Sequence, residues 1–303
     1  MKENNRFNTI SPGANIGLSI FLGFIGLLCL APMILVVIIS FSSVESLSNH
    51  GYTFFPSSFT LEAYKYVLKT GTQIWRGYRV TIAYSFLNTF LSLIVMSMFA
   101  YCIAQKTFKL RTVFTTMAFF TMLFSGGLVP SYILNVKYLH LYDNFWVYVI
   151  PGLFSFYNCV ILRTFINTTI PDSLFEAARI DGAGPFRIYV QIVLPLFKAG
   201  LATIGLFKLV GNWNDWFTAK LYIENVNLIP IQTMLTRIMD NITFLKNNTA
   251  NMNDATIRRM LEEMPTESSR MAITIISVAP ILFAYPFFQR YFVSGLTIGS
   301  VKG

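Results

Sequence analysis

The sequence predicts an all-α protein that crosses a membrane six times. Three observations carry this. First, the 303 residues are 54% hydrophobic and only 12% charged, with mean hydropathy +0.56. A soluble globular chain carries roughly 25% charged residues, so this one has too little polar surface to coat a water-soluble particle. Second, the apolar residues are gathered into runs near the roughly 20 residues that a helix needs to cross the hydrocarbon core. Third, Lys106, Lys109 and Arg111 cluster in one short connection, as topology-setting charges do.

The expected spans follow in order: Gly17 to Phe41, Val80 to Ala104, Thr112 to Leu134, Phe145 to Leu162, Leu196 to Phe217 and Met271 to Phe288. The first is too long for the roughly 7–15-residue apolar core of a cleaved signal peptide, so it is read as a retained span. The fifth is the least apolar. Prolines 130, 151, 280 and 286 lie in or beside spans; such breaks are tolerated only inside a bundle or along a wet cavity. The basic 106–111 connection belongs in the cytoplasm, whereas the next connection offers only Lys137, beside Asp143. Both termini then lie inside.

The resulting organisation is a cytoplasmic segment 1–16, a first span with an outer segment over 17–79, a five-span core over 80–292 and a cytoplasmic tail 293–303. The core contains an outer loop 218–270. Within it, apolar residues at 231, 234, 235, 238 and 239 have helical spacing. A second surface helix is expected over Thr256 to Met264, with Arg258/Glu262 and Arg259/Glu263 as weak pairs in basic-before-acidic order.

The net charge of +9 is read as anchoring against anionic lipid rather than nucleic-acid binding. Cys29, Cys102 and Cys159 each sit in an apolar run, with no CxxC pair and no disulfide framework. His50 and His140 are ordinary loop residues without ligand spacing. No catalytic residue set and no metal cluster emerges. The chain has no Gly-x-x-x-x-Gly-Lys-Ser/Thr phosphate loop, so it is not expected to hydrolyse ATP or to bind a cofactor itself.

One inner connection is unlike a plain linker. After Pro171-Asp172, Ser173 is a candidate N-cap and Glu176 its capping-box partner. Glu176, Ala177, Ala178, Arg179 and Ile180 propagate a short helix, whose two alanines offer a flat face for close approach. Gly182 and Gly184 stop it, flanking Asp181 and Ala183, and Pro185 opens a second short helix. Together 173–190 make a knob below the bundle, and Leu194-Pro195 marks entry into the fifth span.

This segment resembles the signature of binding-protein-dependent ABC importer permeases. Glu176, Ala177, Ala178, Gly182, Ile192, Leu194 and Pro195 meet every spacing of that pattern. The stretch Gly211-Asn212-Trp213-Asn214-Asp215 resembles a fifth-span motif of the maltose-type carbohydrate permeases, and the tail from Gly295 to Gly303 resembles the Gly-rich terminus of that branch. The similarity covers most of the chain from about residue 80.

The resemblance implies the type I ABC importer permease fold in the cytoplasmic (inner) membrane of a bacterium. It implies that the knob couples the chain to a separate ATPase, with ATP and Mg bound there, and that Gly299 and Lys302 of the tail reach the two ATP-binding subunits. Further implied partners are a second, related permease forming a heterodimer, an extracytoplasmic solute-binding protein and an oligosaccharide cargo. A permease for a peptide or polyamine would share the same spans and is separated by cargo binding to the purified assembly. A membrane receptor or assembly factor would lack an ATPase partner.

The fifth span suggests the cargo path. Lys208, Asn212 and Asp215 recur at helical spacing, so one face is expected to carry all three. Lys208 lies twelve residues past Leu196, about 18 Å deep at 1.5 Å per residue. Trp213, Asn214 and Trp216 flank this stripe. Hydrogen-bonding side chains suit sugar hydroxyls, and aromatic faces suit their C–H surfaces. The tryptophans also fit an interfacial belt, Asn212 an interhelical hydrogen bond, and Lys208 an ion pair within the bundle.

Overall fold

The computed structural model describes residues 12–69, 72–248 and 266–300. Its regular structure is helical, and among the described residues extended pairing is confined to one isolated bridge between Ser42 and Phe59. The described residues divide into two units, one of residues 12–69 and 266–276, the other of 72–248 and 277–300.

In the first unit, α1 (Pro12–Ser40) contains Pro32 and carries apolar side chains all round. Ile20, Leu22 and Leu27 are exposed, as befits a helix whose solvent is lipid. Its end is pinned where Ser40 Oγ meets Tyr64 Oη at 2.8 Å and the Phe41 and Tyr64 rings stack at 4.8 Å. Ser43 caps α2 (Val44–His50) by accepting the Ser46 N–H. Tyr64 lies on α3 (Glu62–Lys69).

The second unit is built around α4 (Thr72–Ala104), which packs against α7 (Phe156–Thr169) and α11 (Lys198–Trp213). Helices α1 and α4 are each long and apolar enough to cross a membrane. Two bent pairs also pass as broken spans. In one, α5 (Arg111–Leu123) meets α6 (Leu128–Ile133), which a π turn extends to Tyr138, at 113°. In the other, the Pro185–Leu196 segment meets α11 at 79°.

Three expectations about the spans are corrected. The third does not run unbroken from Thr112 to Leu134: α5 stops at Leu123, and Gly127 at φ +83° turns the chain into α6, a conformation that glycine adopts freely. The fourth is not a helix from Phe145. It begins as a single 3-10 turn, Phe145–Tyr148, passes through the non-helical Pro151-Gly152 stretch and becomes helical only at Phe156. Proline has no N–H to continue the ladder. The fifth ends at Trp213 rather than Phe217, because Asp215 accepts the N–H groups of Phe217 and Thr218 at 3.1 and 3.0 Å and starts a new helix, α12 (Phe217–Tyr222). Asp215 therefore lies beyond α11 and does not share its face with Lys208 and Asn212.

The outer helix expected around 231–239 is present as α13 (Ile231–Asn248). The pairs Arg258/Glu262 and Arg259/Glu263 lie outside the described residues. The last helix, α14 (Glu267–Ser300), includes the whole expected sixth span and continues past it.

Candidate functional site

The knob is assembled from α8 (Asp172–Ile180) and α9 (Pro185–Ile188). The expected capping box does not form. Pro171 occupies the N-cap, with no side-chain cap bond, and helical geometry begins before Ser173. Asp172 instead lies in the first turn, where a negative charge suits the helix dipole, and it pairs with Lys106 at 2.5 Å. The other end follows expectation. Ala183 N–H reaches Ala178 O and Gly182 N–H reaches Arg179 O, with Gly182 at φ +76°; this is a Schellman stop. Pro185 then opens α9 from its first position.

One face of the knob belongs to the bundle. Phe175 and Ala178 on α8, with Ile188 and Tyr189 after it, are buried in the same core cluster as Tyr101. Tyr101 donates to Pro185 O at 3.1 Å, and Ser97 Oγ lies 2.6 Å from Tyr189 Oη. Arg179 donates to Gln105 Oε1 at 2.6 Å. The two alanines do not form one flat face: Ala178 turns inward with Phe175, while Ala177 is exposed. Successive helical residues are separated by about 100°, and that separation puts them on different sides.

The opposite face is bare. Glu176, Ala177 and Asp181 are exposed, as are Ile180 at 87% and Phe186 at 69%. Among the remaining site residues, Ala183 and Leu194 are half-buried and Gly182 and Pro195 exposed. Pro195 cannot bond Gln191 O, and the turn before it widens so that Leu194 N–H reaches Tyr189 O.

The fifth-span residues are bound into a polar seam. Lys208 Nζ donates to Gly152 O at 2.7 Å. Asn212 Nδ2 donates to Asn88 Oδ1 at 2.9 Å, and Asn212 O accepts from Tyr84 Oη. Asn88 Nδ2 donates to Val149 O at 2.7 Å, and Ser92 Oγ to Gly152 O at 3.3 Å. Trp213 is buried, and its indole N–H donates to Ser277 O at 2.9 Å. Asn214 and Trp216 stay exposed, with Lys220 Nζ lying 5.5 Å from the Trp216 ring centroid. Gly299 lies on α14 and Lys302 outside the described residues.

This seam was missed in the sequence, although it has a signal. Thr81, Ser85, Asn88 and Ser92 recur at helical spacing inside an apolar run, and all four are buried. Non-helical backbone at membrane depth must be satisfied from within the protein. Asn88, Ser92 and Lys208 do so for the carbonyls of Val149 and Gly152.

The family model for the binding-protein-dependent transport system inner membrane component matches residues 77–298. The chain is 36% identical over 285 residues to Protein LplC of Bacillus subtilis strain 168, covering 94% of this chain and 93% of that one. It is 34% identical over 283 residues to the polygalacturonan/rhamnogalacturonan transport system permease protein YtcP of the same strain, covering 93% and 96%. Among solved structures, a bacterial ABC transporter involved in the import of the acidic polysaccharide alginate contains a similar chain. The TM-score is 0.79 at 29% identity, covering 94% of this chain and 99% of that one.

Proposed function

We propose that this chain, which belongs to the family of binding-protein-dependent transport system inner membrane components, is the permease subunit of an ATP-driven importer for an oligosaccharide. The observation that carries the reading is the knob, a folded helical pair fastened to the bundle on one side and bare on the other. A connecting loop needs neither a Schellman stop nor exposed Ile180 and Phe186. A soluble ATPase subunit that takes hold of the bare face provides a use for both.

In this reading α7 and α14 join the two unbroken and two broken spans to make six, with both termini and the knob in the cytoplasm. ATP and Mg bind to two separate ATPase subunits. Their closure moves the knob, the bundle opens outward to receive cargo from an external binding protein, and hydrolysis resets it. A second, related permease completes the pathway, while Gly299 and Lys302 extend toward the ATPases. The knob residues Glu176, Ala177, Asp181 and Gly182 form the joint; Ala178 and Leu194 hold it to the bundle.

The sugar assignment is supported by the polygalacturonan/rhamnogalacturonan permease and the alginate importer among the similar proteins. The alginate importer's cargo is acidic, and Arg76 and Arg79 are exposed beside Phe145 and Asn227 around one open pocket. These features support an acidic oligosaccharide as cargo. Asn214 and Trp216 are exposed just beyond the end of α11, and in this reading they meet the cargo. The test is the ratio of sugar taken up to ATP hydrolysed in vesicles holding the full assembly. Gly182→Pro cannot adopt the positive φ of the stop, and Glu176→Lys reverses a charge on the bare face. Both variants are expected to insert normally and to lower the ratio. An unchanged ratio in both removes the knob from this role.

A further inference from the structure

A cavity of about 540 Å³ lies between the knob, the 104–107 connection and the ends of α5 and α7 next to the knob. Lys106, Arg111, Arg163 and Arg179 line it together with Asp172 and Glu176, so cations outnumber carboxylates four to two. Two of the cations are already engaged: Lys106 holds Asp172, and Arg179 donates to Gln105 and Thr107. The other two are not. Arg163 Nε is buried without a hydrogen-bond partner. Among the described residues no carboxylate forms an ion pair with Arg163 or Arg111. An Arg donor left unsatisfied in a buried position is costly unless something charged or polar fills the space beside it.

The setting of Arg111 points to the same missing charge. It stands in the first turn of α5, whose N-cap Leu110 makes no side-chain cap bond and whose first turn holds no acidic residue. A cation at the positive end of an uncapped helix is unfavourable alone and favourable with an anion beside it. One and two turns further along α5, Phe114 and Met117 are exposed and apolar. The cationic cavity thus adjoins an apolar track suited to an acyl chain.

We infer that this cavity binds a phosphate group held between Arg163 and Arg111, the phosphate being that of an anionic lipid headgroup or a free phosphate ion. Basic pockets between membrane helices on the cytoplasmic side are suited to such headgroups. The inference needs no statement about cargo. It uses the membrane placement given above only to choose the leaflet, so an error in the sugar assignment leaves it standing. Lys106–Asp172 forms one wall of the cavity and ties the basic loop to α8, so an occupied cavity also braces the knob.

The experiment uses the purified, full-length permease assembly in nanodiscs of phosphatidylcholine with or without phosphatidylglycerol, and reads retained lipid by native mass spectrometry after detergent extraction. A second arm reads the melting temperature with inorganic phosphate in the absence of phosphatidylglycerol. The native chain should retain phosphatidylglycerol in preference to phosphatidylcholine. Arg163→Gln should weaken that preference about fivefold, the effect of one basic residue near an anionic lipid surface. Lys109→Gln, outside the cavity, should leave it intact, and Arg163→Lys should keep part of it should Arg163→Gln fold poorly. A phosphate-dependent rise in melting temperature that Arg163→Gln abolishes, without lipid preference, assigns the site to the free ion. Equal lipid retention and equal phosphate response in native and Arg163→Gln chains overturns the inference. So does loss of ATPase-subunit binding alone, with lipid retention and phosphate response unchanged.

Discussion

At the residue scale, the polar side chains of the bundle brace broken backbone. Asn88 connects Val149 O to Asn212, and Asn88→Leu leaves a buried carbonyl without its donor. The expected loss is about 1–3 kcal/mol, checked by thermal melting of the detergent-solubilised assembly. Lys208→Met should act in the same way, because the ammonium is engaged with Gly152 O. Uptake of neutral and acidic oligosaccharides should then fall together. A loss confined to acidic cargo would instead make Lys208 a cargo contact. In the connection after α6, Tyr142 donates to Glu224 Oε1 at 2.6 Å, and that bond, first among several causes, raises its pKa from 10.0 to about 12. The protonated phenol is the form favoured by folding. Its contribution is complete below the unfolded value and lost as pH rises through about 12. Phenolate absorbance should place this titration above that of an ordinary tyrosine, and Glu224→Gln should return it toward 10.0.

At the element scale, close approach of helices depends on small residues. A Cβ at Gly200 would lie 2.8 Å from Phe165 Cγ, so α11 and α7 pack at this point because no side chain intervenes. Gly200→Ala is expected to cost about 1–3 kcal/mol through overpacking, and Phe165→Leu in the same chain should recover part of it. Thermal melts of the single and double variants supply the cycle. The elements were legible to different degrees. Apolar run length identified α1 and α4, and helical spacing found α13. The break in the third span was hidden because Ser125-Gly126-Gly127 interrupts an otherwise apolar run without marking how sharply the chain turns. The fourth span was misjudged because Phe145 to Ile150 is as apolar as a helix but ends at Pro151. What holds that stretch is distant in sequence, on α4 and α11, and a one-dimensional reading does not pair them.

At the scale of the whole molecule, the knob was legible because its chemistry is local: the glycine stop, the opening proline and the spacing through Pro195 all lie within one short segment. Which of its sides faces the bundle was not legible, since that depends on Tyr101 and Ser97 packing from another helix. The split between Ala177 and Ala178 follows from the same contacts. In the proposed function, the molecule needs a surface that belongs to its partner and a core that keeps broken spans closed to lipid. We assign the former to the bare side of α8 and α9 as part of that proposal, while the buried seam from Thr81 to Ser92 supplies the latter.

The most direct test is a cross-link. With Cys29 and Cys102, both exposed native thiols, changed to Ser, Ile180→Cys places a single exposed thiol on the bare side of the knob. In the assembled transporter it should form a cross-link to an ATPase subunit whose yield changes when ATP is added. A thiol that stays free to label throughout the ATP cycle, in an assembly that still transports, contradicts the account.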